Sequence, residues 1–191
     1  MNRRIVVRFA MLVGALSVPA VARAQATLTP LVGGYVPAGD LTQVREGAEN
    51  VATTRKGVLS LGLNLDVGPL RGSVAYASGT TIKNANRQDV GKGTVLGLAG
   101  DLVVRPLPRL LVQPYLLLGA GQKFYKFDDT APASSFGDTR RFAWHGGVGA
   151  DLSVGAIGVV AELTDFLSKD ADAKWNNHDA FLMLGLRLRL P

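Results

Sequence analysis

The chain has 191 residues, of which 47% are hydrophobic, and it contains no cysteine. The lack of cysteine excludes a disulfide framework, a thiolate metal site and a lipid anchor on an N-terminal cysteine. The net charge of +6 depends on the first 24 residues, because four of the 21 Lys and Arg residues lie there, which leaves 17 against 15 acidic residues. A balance of +2 over the remaining residues gives little support to nucleic-acid binding.

The first 24 residues have the three parts of a secretory signal. Basic residues precede an apolar stretch over residues 9–22, and small residues stand at Ala22 and Ala24. A membrane anchor is the alternative, but the stretch is shorter than the roughly 20 residues that a spanning helix needs, and it contains Pro19. We therefore predict Sec-type export with cleavage near Ala24, and one domain over residues 25–191.

Eight segments of about ten residues follow, a length that suits a membrane-spanning strand. In seven of them apolar residues recur at every second position, which places them on one face of a strand but on opposite sides of a helix. No apolar run of 18 residues follows the signal, so no membrane helix is expected. In chain order the segments read TLTPLVGGYV, whose faces cannot be assigned, then VLSLGLNLDVG, LRGSVAYAS, TVLGLAGDLVVR, VQPYLLLGAGQKF, FAWHGGVGADLS, AIGVVAELT and FLMLGLRLRLP.

The connections between these segments are of two kinds. Three are tight, around Gly68-Pro69, Leu107-Pro108 and Gly155-Ala156. Four are long and polar, over residues 37–54, 79–92, 128–139 and 167–179. Long and short connections alternate strictly, which indicates antiparallel strands running up and down with both termini at the short-turn side.

The charges within the predicted strands decide which face points inward. All of them share a face with Gly, Ala and Ser, whereas the opposite face is rich in leucine and uncharged. A soluble lipocalin-like barrel would need these leucines inside, where eight leucine-rich faces would overfill so narrow an interior. The sequence therefore predicts an all-β fold, an eight-stranded antiparallel up-and-down transmembrane β-barrel with leucines facing lipid.

The same assignment predicts a charge network inside the barrel. Asp66 and Arg71 flank the Gly68-Pro69 turn symmetrically and are expected to oppose each other. Buried charges must be paired, so a structural network that fixes the strand register is the first interpretation, and a pore lining is the alternative. The predicted interior network comprises Asp66, Arg71, Asp101, Arg105, Asp151, Glu162, Arg187 and Arg189.

Several motifs resemble those of small outer-membrane β-barrels of the OmpA, OmpX and OmpW types. They are the signal, GGYVPAGD at the close of the first strand, QPYLLLGAG in the fifth, HGGVGADLSVG in the sixth and the alternating final strand. The resemblance implies location in the outer membrane of a Gram-negative cell envelope. It also implies contacts with outer-membrane lipid, with the barrel-assembly machinery and with periplasmic chaperones, and a monomeric state.

The two histidines give no indication of catalysis. His145 is predicted to face inward among glycines and His178 to lie in the last loop, and neither has a nucleophile at an informative spacing. We expect no catalytic centre, no cofactor and no metal site. The predicted function is a non-enzymatic outer-membrane barrel with a structural or surface-interaction role. The alternatives are a narrow channel for small or hydrophobic solutes and a secreted soluble barrel that binds a lipophilic ligand.

Overall fold

The computed structural model describes residues 26–38, 54–55, 57–83, 89–108, 110–127, 139–169 and 175–190. The predicted signal segment, residues 1–24, lies outside the described residues. No helix in the described part of the chain has the length and apolar character needed to cross a bilayer. The strands are β1 (Ala26–Ala38), β2 (Thr54–Arg55), β3 (Val58–Val67), β4 (Leu70–Lys83), β5 (Asp89–Val104), β6 (Val112–Phe127), β7 (Thr139–Val154), β8 (Ile157–Lys169) and β9 (Trp175–Arg189).

These strands form one antiparallel sheet that closes on itself. Each long strand pairs with its neighbours in sequence, β1 pairs with β9, and the additional β4–β5 pairing closes the ring. The two residues of β2 pair only with the end of β4. The prediction of an eight-stranded up-and-down barrel is therefore confirmed, with β2 as a short addition to one strand.

The register determines how wide the barrel is. The register partner of Leu28 on β3 is Leu65, whose partner on β4 is Gly72. When the partners are followed through β5 to β9, the series returns to β1 at Ala38. Ala38 is ten residues beyond Leu28, so the strands are staggered by ten residues around the barrel. Eight strands with this stagger tilt by about 40° to the barrel axis and enclose a space that side chains can fill. The interior is therefore a packed core whose contents depend on the inward face of each strand.

Two of the tight turns depend on glycine. Gly68 has φ of 61° and Gly155 has φ of 65°, and each is the first of two residues that connect paired strands. A positive φ at this position is the requirement of a type II′ hairpin turn, which glycine meets without steric cost. The third connection on this side runs from Arg105 to Leu111. We call this end of the barrel the turn end and the opposite end the loop end.

Burial alternates along every long strand and confirms the predicted faces. The leucines of the alternating face are exposed on the outside, with Leu61 at 55% and Leu184 at 59% of their full exposure. Apart from Arg189 at the end of β9, the charged and small residues of the opposite face are buried or half-buried. The structure also assigns the faces of β1, which the sequence leaves open: Thr27, Thr29 and Tyr35 point inward.

The strands are longer than predicted. Seven of the eight long strands have 13 to 16 residues rather than about ten, and only β3 has 10. The segments 79–83 and 89–92, predicted as loop, belong to β4 and β5, and residues 81–83 pair with residues within 89–92 in the β4–β5 ladder. Residues 167–169 and 175–179 likewise belong to β8 and β9. These polar segments lie beyond the apolar band, where a strand no longer needs apolar residues on its outer face.

Candidate functional site: the interior of the barrel

The turn end of the interior is occupied by an ionic cluster centred on Arg71. Asp66 and Arg71 are register partners across the first hairpin, and Arg71 Nε lies 2.5 Å from Asp66 Oδ1. Arg71 Nη1 also donates a hydrogen bond to Glu162 on β8, across the barrel. The two strands of one hairpin and a third strand from the opposite wall are thereby connected through one guanidinium group.

Glu162 accepts further hydrogen bonds and is almost completely buried. The Tyr115 hydroxyl donates to Glu162 Oε2 at 2.6 Å, and Asn64 Nδ2 donates to Oε1 at 3.2 Å. The Arg71 guanidinium also lies over the Tyr115 ring, 5.0 Å from its centroid. A buried carboxylate is tolerated only when its oxygens are satisfied in this way. Glu162 therefore connects β8 to β3, β4 and β6.

Two further arginines complete the cluster at its open edge. Arg187 Nη1 is ion-paired with Asp151, and Arg105 Nη2 lies 3.4 Å from Asp66 Oδ2. The side chains of Arg105 and Arg187 are each 18% exposed, so water reaches them at the turn end. The turn-end cluster thus consists of three arginines and three carboxylates in balance: Asp66, Arg71, Arg105, Asp151, Glu162 and Arg187.

Two residues of the predicted network lie elsewhere. Asp101 is buried but belongs to a separate group, in which His145 Nδ1 lies 2.7 Å from Oδ1 and Ser73 donates to Oδ2 at 2.8 Å. Arg189 is exposed, and the expectation that it joins the interior network is wrong. It is the last residue of β9, so its side chain reaches water at the turn end and needs no buried partner.

A layer of aromatic rings separates the turn end from the loop end. Phe166 stacks on the His145 ring at 4.1 Å between centroids and contacts Phe181 edge to face at 6.0 Å. Phe181 in turn packs against Tyr35 at 5.1 Å. The rings fill space that small residues leave, since a Cβ added at Gly97 would lie 2.7 Å from Phe166 Cζ. The glycines of the inner face therefore make room for this layer.

A second ionic cluster lies at the loop end of the interior. Lys123 is completely buried, and its Nζ lies 2.6 Å from Asp179 Oδ2. The same ammonium donates to the Phe166 and Asn177 carbonyl oxygens at 3.0 and 3.1 Å, so its three N–H donors are used. The hydroxyls of Tyr35 and Tyr125 both donate to Asp179. We call these residues the loop-end cluster: Tyr35, Lys123, Tyr125, Asn177 and Asp179.

Sequence reasoning identifies only one partner of the Lys123–Asp179 ion pair in the loop-end cluster. Lys123 is recognisable as a strand charge on the inner face of β6, but Asp179 lies in a segment predicted as loop. Asp179 could have been found by extending the alternation of the last strand. Asn177, Asp179 and Phe181 lie at every second position from Arg187, and they therefore share its inward face of β9.

One polar pair lies on the outer wall. Asp165 Oδ2 lies 2.5 Å from His178 Nδ1, on outward positions of β8 and β9, and the His178 side chain is 43% exposed. The pair lies near the loop end, close to the level of Trp144, whose register partner is Leu167. His178 is thus on a strand of the outer wall rather than in a loop. No group of three His, Asp or Glu side chains in the described residues is arranged to hold a metal ion.

Comparison with known proteins identifies the fold. No protein-family model matches the sequence, and a search of the curated proteins finds no match. The outer membrane protein OprG from Pseudomonas aeruginosa superimposes with a TM-score of 0.58 at 12% identity, over 87% of this chain and 97% of that chain. Neisserial surface protein A superimposes with a TM-score of 0.51 at 13% identity, with the same two coverages.

This is the fold of the small outer-membrane barrels. The outer wall agrees with it, because a continuous apolar surface of exposed leucines and valines on every long strand has no counterpart in a water-exposed protein. The chain is an integral outer-membrane barrel, and the predicted location is confirmed by its fold together with its apolar wall.

Proposed function

We propose that this chain is a non-enzymatic outer-membrane barrel whose closed interior acts as a scaffold, and that its loop end carries a structural or surface-interaction role. One observation carries the proposal: side chains occupy the interior at three successive levels. The turn-end cluster, the aromatic layer around Phe166 and the loop-end cluster follow each other along the barrel axis. A conducting path would have to break buried ion pairs at two of these levels.

The histidines support the non-enzymatic part of the proposal. Each has a carboxylate partner, Asp101 for His145 and Asp165 for His178. In the described part of the chain, neither ring is hydrogen-bonded to a Ser or Thr hydroxyl, and the Ser73 hydroxyl donates to Asp101 rather than to His145, so neither pair has an activated nucleophile. A carboxylate–histidine pair without a nucleophile supports structure rather than acyl transfer.

The proposal includes the partners that follow from this role. The barrel is a monomer in outer-membrane lipid, is exported with cleavage near Ala24, and reaches the membrane through periplasmic chaperones and the barrel-assembly machinery. N-terminal sequencing of protein from outer-membrane fractions tests the cleavage. A mature chain that begins far from residue 25 would overturn that part of the proposal.

A narrow channel for small or hydrophobic solutes is the second candidate, favoured by the partial exposure of Arg105 and Arg187 at the turn end. Planar-bilayer recording of the refolded protein decides between the two. The scaffold predicts no reproducible single-channel steps, whereas steps of constant amplitude would establish a channel. The variant Phe166→Ala/Lys123→Ala, which removes side chains from the two levels nearest the loop end, serves as a comparison that opens the interior if the barrel folds.

A further inference from the structure

A groove on the outer wall near the loop end combines aromatic walls with two cations. It has a volume of 450 Å³ and is lined in the described residues by Arg141, Phe142, Lys169 and Trp175. Phe142 and Trp175 are 54% and 43% exposed. The groove therefore opens outward at these two rings, on the face that the leucines cover nearer the turn end, whereas Arg141 is the register partner of the buried Lys123 and starts from the inward face of β7 at the rim.

The depth of the groove follows from the aromatic residues on β7. Phe142 packs edge to face against Trp144 at 5.6 Å and lies two residues closer to the loop end. Outward tryptophan and tyrosine side chains of membrane barrels lie at the boundary between hydrocarbon and head groups. The groove, which begins one step beyond Trp144, is thus at the level of the outer-leaflet head groups.

The two cations of the groove have no acidic partner in the described part of the chain. Lys169 Nζ lies over the Trp175 ring, 5.3 Å from its centroid, and Arg141 Nη1 donates to the Lys169 carbonyl oxygen at 3.2 Å. Both side chains retain N–H donors that these contacts do not use. The groove therefore offers N–H donors that are available to a ligand, together with two positive charges, at the depth where lipids carry their phosphates.

Further cations follow the same rim, so the groove lies in a positive field. Lys92, Lys126 and Arg140 are exposed near the loop ends of β5, β6 and β7. The Arg140 guanidinium lies over the outward Phe124 ring at 5.7 Å. Arg and Lys beside interfacial aromatics attract anionic head groups, and Arg adds directed hydrogen bonds to phosphate oxygens.

We propose that this groove binds the phosphate-bearing head group of an outer-leaflet lipid, with Arg141 and Lys169 contacting the phosphate and Phe142 and Trp175 flanking it. This goes beyond the scaffold role, because it assigns a ligand to a specific place on the barrel wall. It depends on charge and depth, and not on whether the interior conducts.

The test uses the full mature protein in phosphatidylcholine nanodiscs that contain either bisphosphorylated lipid A or the same lipid without its phosphates. The chain has two tryptophans, so a Trp144→Phe background leaves Trp175 as the only indole, inside the groove. Its emission reports occupancy, and native mass spectrometry counts the retained lipid. We expect retention and an emission shift with the phosphorylated lipid only.

The variant Arg141→Gln/Lys169→Gln is expected to weaken retention by about tenfold, since hydrogen bonds to charged groups are lost. Its matched control is Lys92→Gln/Lys126→Gln, which removes the same charge from the same rim outside the groove and should change retention less than twofold. Equal losses in both variants would reduce the site to general electrostatic attraction and overturn the proposal.

Two further arms keep the result interpretable. Equal retention of the dephosphorylated lipid, or the same Trp175 response to inorganic phosphate added to detergent micelles, would contradict a lipid head group as ligand. Heat-dependent gel mobility shows that each variant folds. Lys169→Gln alone, a change at an exposed side chain, replaces the double variant if that one does not fold, and it must still lower retention more than Lys126→Gln does.

Discussion

Replacement of Glu162 by Gln removes one charge from the centre of the turn-end cluster while keeping the size of the side chain. The cluster then holds three arginines against two carboxylates. The amide N–H group of the new side chain also faces the donors of Arg71 and Tyr115, which were hydrogen-bonded to the Glu162 carboxylate. Arg71 loses its cross-barrel partner on β8, and the Tyr115 hydroxyl loses its 2.6 Å acceptor. Breaking a buried ion pair from one side costs about 3–5 kcal/mol.

Asp165→Asn is the matched control for this variant. Asp165 is also an acid on β8, three residues further along, but it lies on the outer wall beside the half-exposed His178. A pair of this kind contributes about 0–1 kcal/mol. The assay is urea unfolding of the refolded protein in lipid vesicles, followed by tryptophan fluorescence, with reversibility established from both directions.

The double variant Glu162→Gln/Arg71→Gln isolates the pair itself. Because it removes both charges, its free energy of unfolding should fall by less than the sum of the two single losses, with a coupling of about 0.5–3 kcal/mol. If Glu162→Gln costs no more than Asp165→Asn, or if the two single losses are additive, then the turn-end cluster is not the buried, coupled network described above.

Three further predictions follow from other parts of the barrel. Leu184→Arg places a charge on the lipid-facing wall and should cost about 2–4 kcal/mol, against about 0–1 kcal/mol for Val154→Arg beside a turn; equal costs in vesicle unfolding would show that depth in the membrane does not matter there. Gly97→Ala should lose about 1–3 kcal/mol because its methyl group meets Phe166, whereas Gly72→Ala, with open space at Cβ, should lose nothing; a neutral Gly97→Ala would contradict the tight aromatic layer. Lys123→Met leaves Asp179 buried without its ammonium partner and should lose about 3–5 kcal/mol in the same assay, and Lys123→Met/Asp179→Asn should recover part of that loss; no recovery would mean that the pair is not coupled.

The faces of the strands could be predicted from the sequence because two signals agree there. Period-two alternation assigns Leu182, Leu184 and Leu186 to one face, and the position of Arg187 among small residues assigns the other face to the interior. A lipid-facing Arg or Lys at mid-membrane costs about 2–4 kcal/mol, so the charges within a strand indicate which of its faces points inward. β1 has no such charge, and its inner face mixes Thr27 with Leu31, so alternation alone could not decide it.

The ends of the strands and the pairing of the charges could not be predicted in the same way. Beyond the apolar band, strand residues such as Thr80 and Asn177 have the composition of loops, although the ladder continues through them. Partners across the barrel depend on the ten-residue stagger, which no local pattern in the sequence encodes. Asp66–Arg71 could be predicted because a two-residue turn fixes that register, whereas Arg71–Glu162 and Lys123–Asp179 depend on closure of the whole ring.

The alternating residues of β9 offer the most direct test of the central claim, that the barrel has an apolar, lipid-facing outer wall and an ionic interior. The chain has no cysteine, so single cysteines from position 182 to position 189 can each carry a nitroxide spin label in a lipid bilayer. Labels at 182, 184, 186 and 188 should be accessible to oxygen dissolved in lipid and inaccessible to a water-soluble nickel relaxant, with low access to both reagents at 183 and 185. A reversed period, or access of the nickel reagent at the leucine positions, would contradict a lipid-facing leucine wall.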